Sequence, residues 1–494
     1  MMHSWLVLGL VVAAAAAGYD YRSQPDLYYD TWWGPEGKEE DTTIRPFRIE
    51  WDKKDIDDLV YRLKNRREFV PSLDDSAYRY GVNTHTFGFW LDYWANDYNF
   101  TAREQYLNQY PQFKTDIQGL GIHFIWIKPE VPEGKINIPV LMLHGFPGSV
   151  REFYDAIKEI QKATENKNFV LELIIPSLPG FGYSDYSNKE GLGAAEMAFI
   201  YKNLMNRLGH EKYFMQGGDW GSLITANMAT FFPDEIIGYH NNMGVALTDA
   251  AFSMMSIASL NPSSIMSCDV VNRLYPLKNT FEQLTRDSGY FHVHATKPDT
   301  LGISVSDSPT ALMAWLFQQV SICTRKANYD DPEGGLHRYR PEQLLDNLMF
   351  YWMPNKGPTS FRIYSNTFNL RNYHLGYLNV TTTVPTVVVQ ASDEIFYMPP
   401  SMLKTKFSNL LAVDVLNDYG HFLAFEVPDV FASNFVSAVQ RILAFNNQNM
   451  NVRQDKQDFR ANKLSNIRQL VRERINSIRH KMSNYENNEN PFMY

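Results

Sequence analysis

The stretch Lys-Tyr-Phe-Met-Gln-Gly-Gly-Asp-Trp-Gly-Ser, residues 212–222, decides how the rest of the chain is read. A short apolar run (Tyr213, Phe214, Met215) stops at Gly217 and Gly218, a lone carboxylate follows at Asp219, and Trp220, Gly221 and Ser222 open a helix. Small residues two before and two after a central one form the elbow pattern, in which a tight strand-to-helix turn holds one side chain exposed above a sheet. Only glycine fits so close to that backbone. The central residue here is an aspartate and not a serine. A carboxylate with an ordinary pKa of about 3.9 is already ionised at neutral pH, so it attacks without a base to deprotonate it. Its chemistry is displacement of an oxygen or a halide at saturated carbon, which leaves an alkyl ester on the protein.

The sequence on either side alternates between strand and helix. Residues 117–127, 140–143 and 170–175 read as strands, and residues 195–208 as a helix stopped by Gly209. Such alternation implies a mostly parallel sheet with helices on both faces. Beyond Met243 the pattern changes: residues 245–379 are rich in Met, Tyr, Phe and Pro, carry helical spacings and contain no buried strand, as an inserted helical lid would. Buried strands return at 384–390 and 411–416, and a helix starting at Pro428 closes the body near Leu443. Ahead of the first strand the chain is polar, aromatic and irregular, with one surface helix over 53–68 (Ile56, Leu59, Val60 and Leu63 on its apolar face), and reads as a covering arm. The expected organisation is a signal peptide or membrane anchor over 1–20, the arm over 21–115, a core over 116–244, a helical cap over 245–379, the rest of the core over 380–446 and a polar, basic tail over 447–494.

With 494 residues the chain is long enough for a large core, and its formal charge of −9 argues against a nucleic-acid partner. Two cysteines, Cys268 and Cys323, cannot build a disulfide framework and show no metal-ligand spacing. The apolar run from Trp5 to Ala17 is shorter than the ~20 residues a spanning helix needs, and the alanines before Gly18 resemble a signal-peptidase site. In the tail, Leu464, Ile467, Leu470, Val471, Ile475, Ile478 and Met482 share one helical face opposite Arg468, Arg472, Arg474 and Arg479, a pattern suited to an anionic membrane, a partner or a solvated appendage.

Several motifs occur together and in a set order: His144-Gly145-Phe146-Pro147-Gly148-Ser149, the elbow, Ser288-Gly289-Tyr290, Thr296-Lys297-Pro298-Asp299-Thr300 and Gly420-His421-Phe422-Leu423-Ala424-Phe425-Glu426. This order, together with the Trp32-Trp33-Gly34-Pro35 arm, resembles the microsomal-type epoxide hydrolases, a family that includes the insect juvenile-hormone epoxide hydrolases. The similarity runs from about Trp32 to Leu443. It implies an α/β-hydrolase core with a helical cap, cofactor-free hydrolysis of epoxides to vicinal diols, and an endoplasmic-reticulum or microsomal membrane location, with secretion as the alternative. The implied partners are a small lipophilic epoxide, met in xenobiotic detoxification or in lipid and hormone turnover, and water.

The residues take roles accordingly. Asp219 is the expected nucleophile. His421 is the expected general base, a neutral imidazole taking a proton from water. His144, its main competitor, reads as part of the loop that shapes the oxyanion hole. Either Glu394 or Asp393 can orient His421; the resemblance favours Glu394, which stands five residues before Pro399. Ring opening leaves an alkoxide, and neutral phenols are suitable donors to it. Tyr290 matches the family's first ring-opening tyrosine and Tyr364 the second, with Tyr351 and Tyr373 as alternatives to Tyr364. The backbone N–H groups of Phe146 and Trp220 are the expected oxyanion hole. Phe146 stands where the vertebrate microsomal pattern has Trp, a change to pocket shape that leaves the N–H untouched. A haloalkane dehalogenase also uses an elbow aspartate, but the paired tyrosines argue against it. The missing elbow serine argues against an esterase. A catalytically silent carrier of a lipophilic epoxide is the reading from another class.

Overall fold

The apolar runs come together as nine strands of one sheet in the structure, a computed structural model that describes residues 30–267 and 271–449. They are β1 (Arg45–Phe47), β2 (Gln112–Ile117), β3 (Leu120–Ile127), β4 (Ile136–Leu143), β5 (Phe169–Pro176), β6 (Tyr213–Gly217), β7 (Ile236–Asn241), β8 (Thr386–Ala391) and β9 (Leu410–Leu416). Their order is β1-β2-β3-β5-β4-β6-β7-β8-β9. From β5 through β4, β6, β7 and β8 to β9 all neighbours are parallel, whereas β1, β2 and β3 join antiparallel. Every residue of β6 and β8 is buried, as strands covered on both faces by crossover helices must be.

Four details differ from the sequence reading. Residues 117–127 are not one strand: Gln118 and Gly119, both in the left-handed region (φ 50° and 83°), turn the chain between β2 and β3. The long apolar run after them masks that turn. The arm does more than cover, because β1 and β2 extend the sheet. β7 is an additional strand, five of whose six residues are buried although Gly, His and Asn interrupt its apolar pattern. Finally, residues 428–449 are helical, so that helix runs past Leu443 to the end of the described residues.

The described residues up to Val439 form one compact unit, and those from Gln440 onward a second. The segment 1–20, Cys268 and the arginine-bearing face of the tail lie outside the described residues. Cys323 is a buried free thiol. Between β7 and β8 the described chain holds helices and no strand, from Asp249–Ala258 to Leu370–His374.

One of these inserted helices, Pro341–Trp352, grips the loop that follows β4. Asn347 donates to Pro147 O and accepts from the Ser149 hydroxyl, both at 2.7 Å, while the Tyr351 hydroxyl donates to Gly148 O at 2.6 Å. Next to them Asp346, fully buried, takes Arg151 Nε at 3.1 Å from the core, Arg103 Nε at 2.9 Å from the arm and the Tyr98 hydroxyl at 3.0 Å. Arm, core and inserted helices thus meet on one carboxylate. Desolvating these charges is costly, and the cluster is viable only with every partner in place. Asp346→Asn keeps the volume but removes the fully buried charge shared by Arg151 and Arg103, leaving Arg151 only the partly exposed Asp155 at 3.2 Å. We expect a loss of about 3–5 kcal/mol in denaturant unfolding; a midpoint unchanged from wild type would contradict this reading of the junction.

Candidate active site

β6 ends at Gly217, and the helix Asp219–Phe231 begins two residues later. Asp219 itself has φ 49°, a left-handed conformation that is strained for any residue but glycine. The turn is tight enough that a Cβ on Gly217 would stand 2.4 Å from Gly221 O, and one on Gly221 would stand 2.2 Å from Leu143 O. These contacts account for the small residues on either side. The carboxylate is turned towards the loop after β4, where a Cβ on Gly145 would lie 2.1 Å from Asp219 Oδ1. That oxygen accepts the Phe146 N–H at 2.7 Å. Trp220 follows Asp219 in the first turn of the helix, its indole packed edge-on to Tyr364 with ring centroids 4.6 Å apart.

His421 arrives from the loop after β9 and is buried. Its Nε2 lies 3.4 Å from Asp219 Oδ2, and its Nδ1 lies 2.6 Å from Glu394 Oε1 in the loop after β8. The backbone N–H of His421 donates to Cys323 O, which ties the loop to the helix Pro309–Thr324. Of the two adjacent acids, the structure brings Glu394 to the imidazole; Asp393, half-buried, is set by its backbone N–H on Tyr419 O. His144 is fixed elsewhere: its Nε2 accepts the Leu178 N–H at 3.1 Å and its Nδ1 lies 3.0 Å from Gly145 O. Burial pushes the His144 imidazole down to about 4, so it is a neutral strut of the loop.

The tyrosines come from the inserted helices. Tyr290 is the second residue of the helix Gly289–Thr296, and Tyr364 sits near the end of Gly357–Thr367. Their rings stand edge-on with centroids 6.1 Å apart. Both pack against Phe146, at 6.3 and 5.9 Å. Burial, with smaller contributions from Asp219, holds both phenols well above their ordinary pKa, so they remain protonated donors. Tyr351 reaches the same aromatic group, but its hydroxyl is committed to Gly148 O. Tyr373 lines a different cavity, with Leu223, Val245 and Lys406. The site residues expected from sequence are therefore assembled in one place. His294, one helical turn after Tyr290, also joins the aromatic group and was not among them.

The neutral imidazole is expected at the step where water meets the ester; the surroundings of His421 before that step favour the other form. Burial opposes its charge, but the Glu394 and Asp219 carboxylates beside it outweigh that penalty and hold the pKa well above the ordinary value. The two carboxylates therefore favour the protonated ring. Removing one anion must lower its pKa, since the neutral form then loses less by comparison. We therefore expect Asp219→Asn, which keeps the shape and removes the charge, to shift the His421 titration to lower pH in ring-resolved NMR. An unmoved titration would contradict this assignment of the charge.

Two family models match the chain: the epoxide hydrolase N terminus over residues 44–153 and the alpha/beta hydrolase fold over residues 138–254. The chain is 46% identical over 418 residues to the juvenile hormone epoxide hydrolase of Bombyx mori, covering 84% of this chain and 91% of that one. Identity to epoxide hydrolase 1 of Sus scrofa is 36% over 424 residues, covering 83% and 92%. The crystal structure of the silkworm juvenile hormone epoxide hydrolase superposes with a TM-score of 0.83 at 45% identity, covering 85% of this chain and 100% of that one. The Aspergillus niger epoxide hydrolase, at 24% identity and a TM-score of 0.67 over 82% and 97% of the two chains, shares the fold. With the elbow, the inserted helices and these matches in place, the chain belongs to the epoxide hydrolases, an enzyme family built on the α/β-hydrolase fold.

Proposed function

We propose that this enzyme hydrolyses bulky lipophilic epoxides to vicinal diols in two steps, through an ester on Asp219. The observation that carries the reading is the carboxylate held between the Phe146 N–H on one oxygen and His421 on the other, with the Tyr290 and Tyr364 phenols grouped around Phe146. In the first step an oxygen of Asp219 bonds to an epoxide carbon, the C–O bond of the ring breaks, and its electron pair moves to the ring oxygen. The two phenols hold that oxygen and supply its proton. Asp219 loses its negative charge when it becomes an ester. One of the two anions that favour protonated His421 is then gone, so the imidazole gives up its proton, which replaces the one the phenol lost to the ring oxygen, and is left neutral to act as a base.

In the second step His421, oriented by Glu394, takes a proton from water as the water oxygen bonds to the ester carbon. The negative charge of that intermediate falls on an oxygen facing the Phe146 N–H, with Trp220 N–H proposed as the second donor. The bond between the carboxyl carbon and the alkyl oxygen breaks, that oxygen takes the proton from His421 as the diol leaves, and the new carboxyl group passes its proton to His421 as the carboxylate is regenerated. No cofactor enters either step.

Substrate preference follows from the wall of the site, where Phe146, Trp220, Phe291, Phe361 and Phe368 surround the tyrosines. Such a wall favours apolar substituents on the epoxide. The silkworm relative is named for juvenile hormone, and turnover of a lipid or hormone epoxide, or detoxification of a xenobiotic one, is the role proposed for this chain. Among the described residues no helix is long and apolar enough to cross a membrane. Association with the endoplasmic-reticulum membrane is proposed on the apolar run before Gly18, with secretion as the alternative.

The mechanism is tested by a single turnover of an aryl epoxide in isotopically labelled water. The first diol is expected to take its new oxygen from the protein, and the label to enter the Asp219 carboxylate. Label appearing directly in the first diol would exclude the ester.

A further inference from the structure

His294 is fully buried in the helix that carries Tyr290. Its ring stacks on Phe361 with centroids 4.0 Å apart and an interplanar angle of 14°. It stands steeply to Tyr364 at 4.8 Å, Phe146 at 5.0 Å and Tyr290 at 5.7 Å. Three side chains of the proposed epoxide site therefore share one imidazole.

The two nitrogens of this ring are not equivalent. The Trp315 indole N–H donates to His294 Nε2 at 3.0 Å. An indole nitrogen only donates, so Nε2 is the bare nitrogen and the proton of the neutral ring sits on Nδ1. Burial keeps the ring neutral, pushing the imidazole down to about 3. Nδ1 is buried and has no hydrogen-bond partner within the protein. A buried donor without a partner costs stability, and a phenylalanine or leucine would fill the same space between Phe361 and the tyrosines without that cost. The unpaired N–H calls for an acceptor from outside the chain.

Resting on the ester-forming reading above, we propose that His294 Nδ1–H is a third donor in the epoxide site, contacting the substrate oxygen as the ring opens. An epoxide oxygen has two lone pairs, matched by the two phenols. As Asp219 bonds to carbon and the ring C–O bond breaks, the bonding pair becomes a third lone pair on an oxygen that now carries negative charge. A donor to that pair interacts with the transition state and not with the intact epoxide, so it accelerates ester formation without tightening binding. The Trp315 latch keeps the imidazole in the one tautomer that can do this. His294 is thus a catalytic residue that complements the two tyrosines.

Rapid-quench single turnovers with an aryl epoxide separate ester formation from ester hydrolysis. In His294→Phe, ester formation is expected to slow at least about tenfold, as for other oxyanion donors, with epoxide affinity and ester hydrolysis unchanged. His294→Gln, which restores an N–H, is expected to recover most of that rate. Ester formation at the wild-type rate in His294→Phe would overturn the proposal, as would equal losses in the Phe and Gln variants, which would mean a packing role. Should His294→Phe not fold, Trp315→Phe decides: both tautomers become available, and ester formation is expected to slow at unchanged melting temperature. A wild-type rate there would overturn the proposal. Absence of any ester in the wild-type enzyme is a different result, which refutes the two-step mechanism itself and this assignment with it.

Discussion

A carboxylate held in a strained backbone conformation is the constraint on which this structure depends. Asp219 adopts a positive φ because the strand must become a helix within two residues, and that turn leaves no other path for the chain. The cost is borne by the surroundings: glycines where a Cβ would collide with backbone, and the Phe146 N–H on one carboxylate oxygen. Because the elbow fixes the direction of the carboxylate, His421 and the tyrosines only need to be delivered to it. The loop after β9 and two inserted helices do so, and the sheet is the frame that makes their endpoints coincide.

The delivery depends on the inserted helices as much as on the sheet. The loop that offers the Phe146 N–H is held from above by Asn347 and Tyr351, and the buried Asp346 fastens the same helix to the core and the arm. Tyr290 and Tyr364 come from two other inserted helices. In the proposed mechanism the core supplies nucleophile, base and backbone donor, and the inserted helices supply the acids and the apolar wall. Charge links the two steps of that mechanism, since the carboxylate that attacks is also one of the two that favour the protonated imidazole.

Much of this is legible in the sequence. Asp219 stands out because glycines at fixed offsets flank it, and because an ionised side chain in an apolar turn is hard to satisfy unless it has chemistry to perform. His421 and the tyrosines are reached through motif order, not residue type, since the chain has twelve histidines and 29 tyrosines. Other features are illegible for physical reasons. Asp393 and Glu394 are neighbours with the same chemistry, and only the path of the loop decides which one faces the imidazole. The turn at Gln118 and Gly119 is masked by the long apolar run that follows it. The charge of His421 depends on two carboxylates distant in sequence, and the tautomer of His294 depends on an indole 21 residues away.

The central claim is that Asp219 bonds covalently to the epoxide and that His421 later frees it. Its most direct test is peptide mass spectrometry of His421→Gln after incubation with an aryl epoxide. The account predicts that the peptide containing Asp219 gains the full mass of the epoxide, at that residue and in near-stoichiometric yield. An unmodified Asp219 in a folded variant that still consumes the epoxide would contradict it.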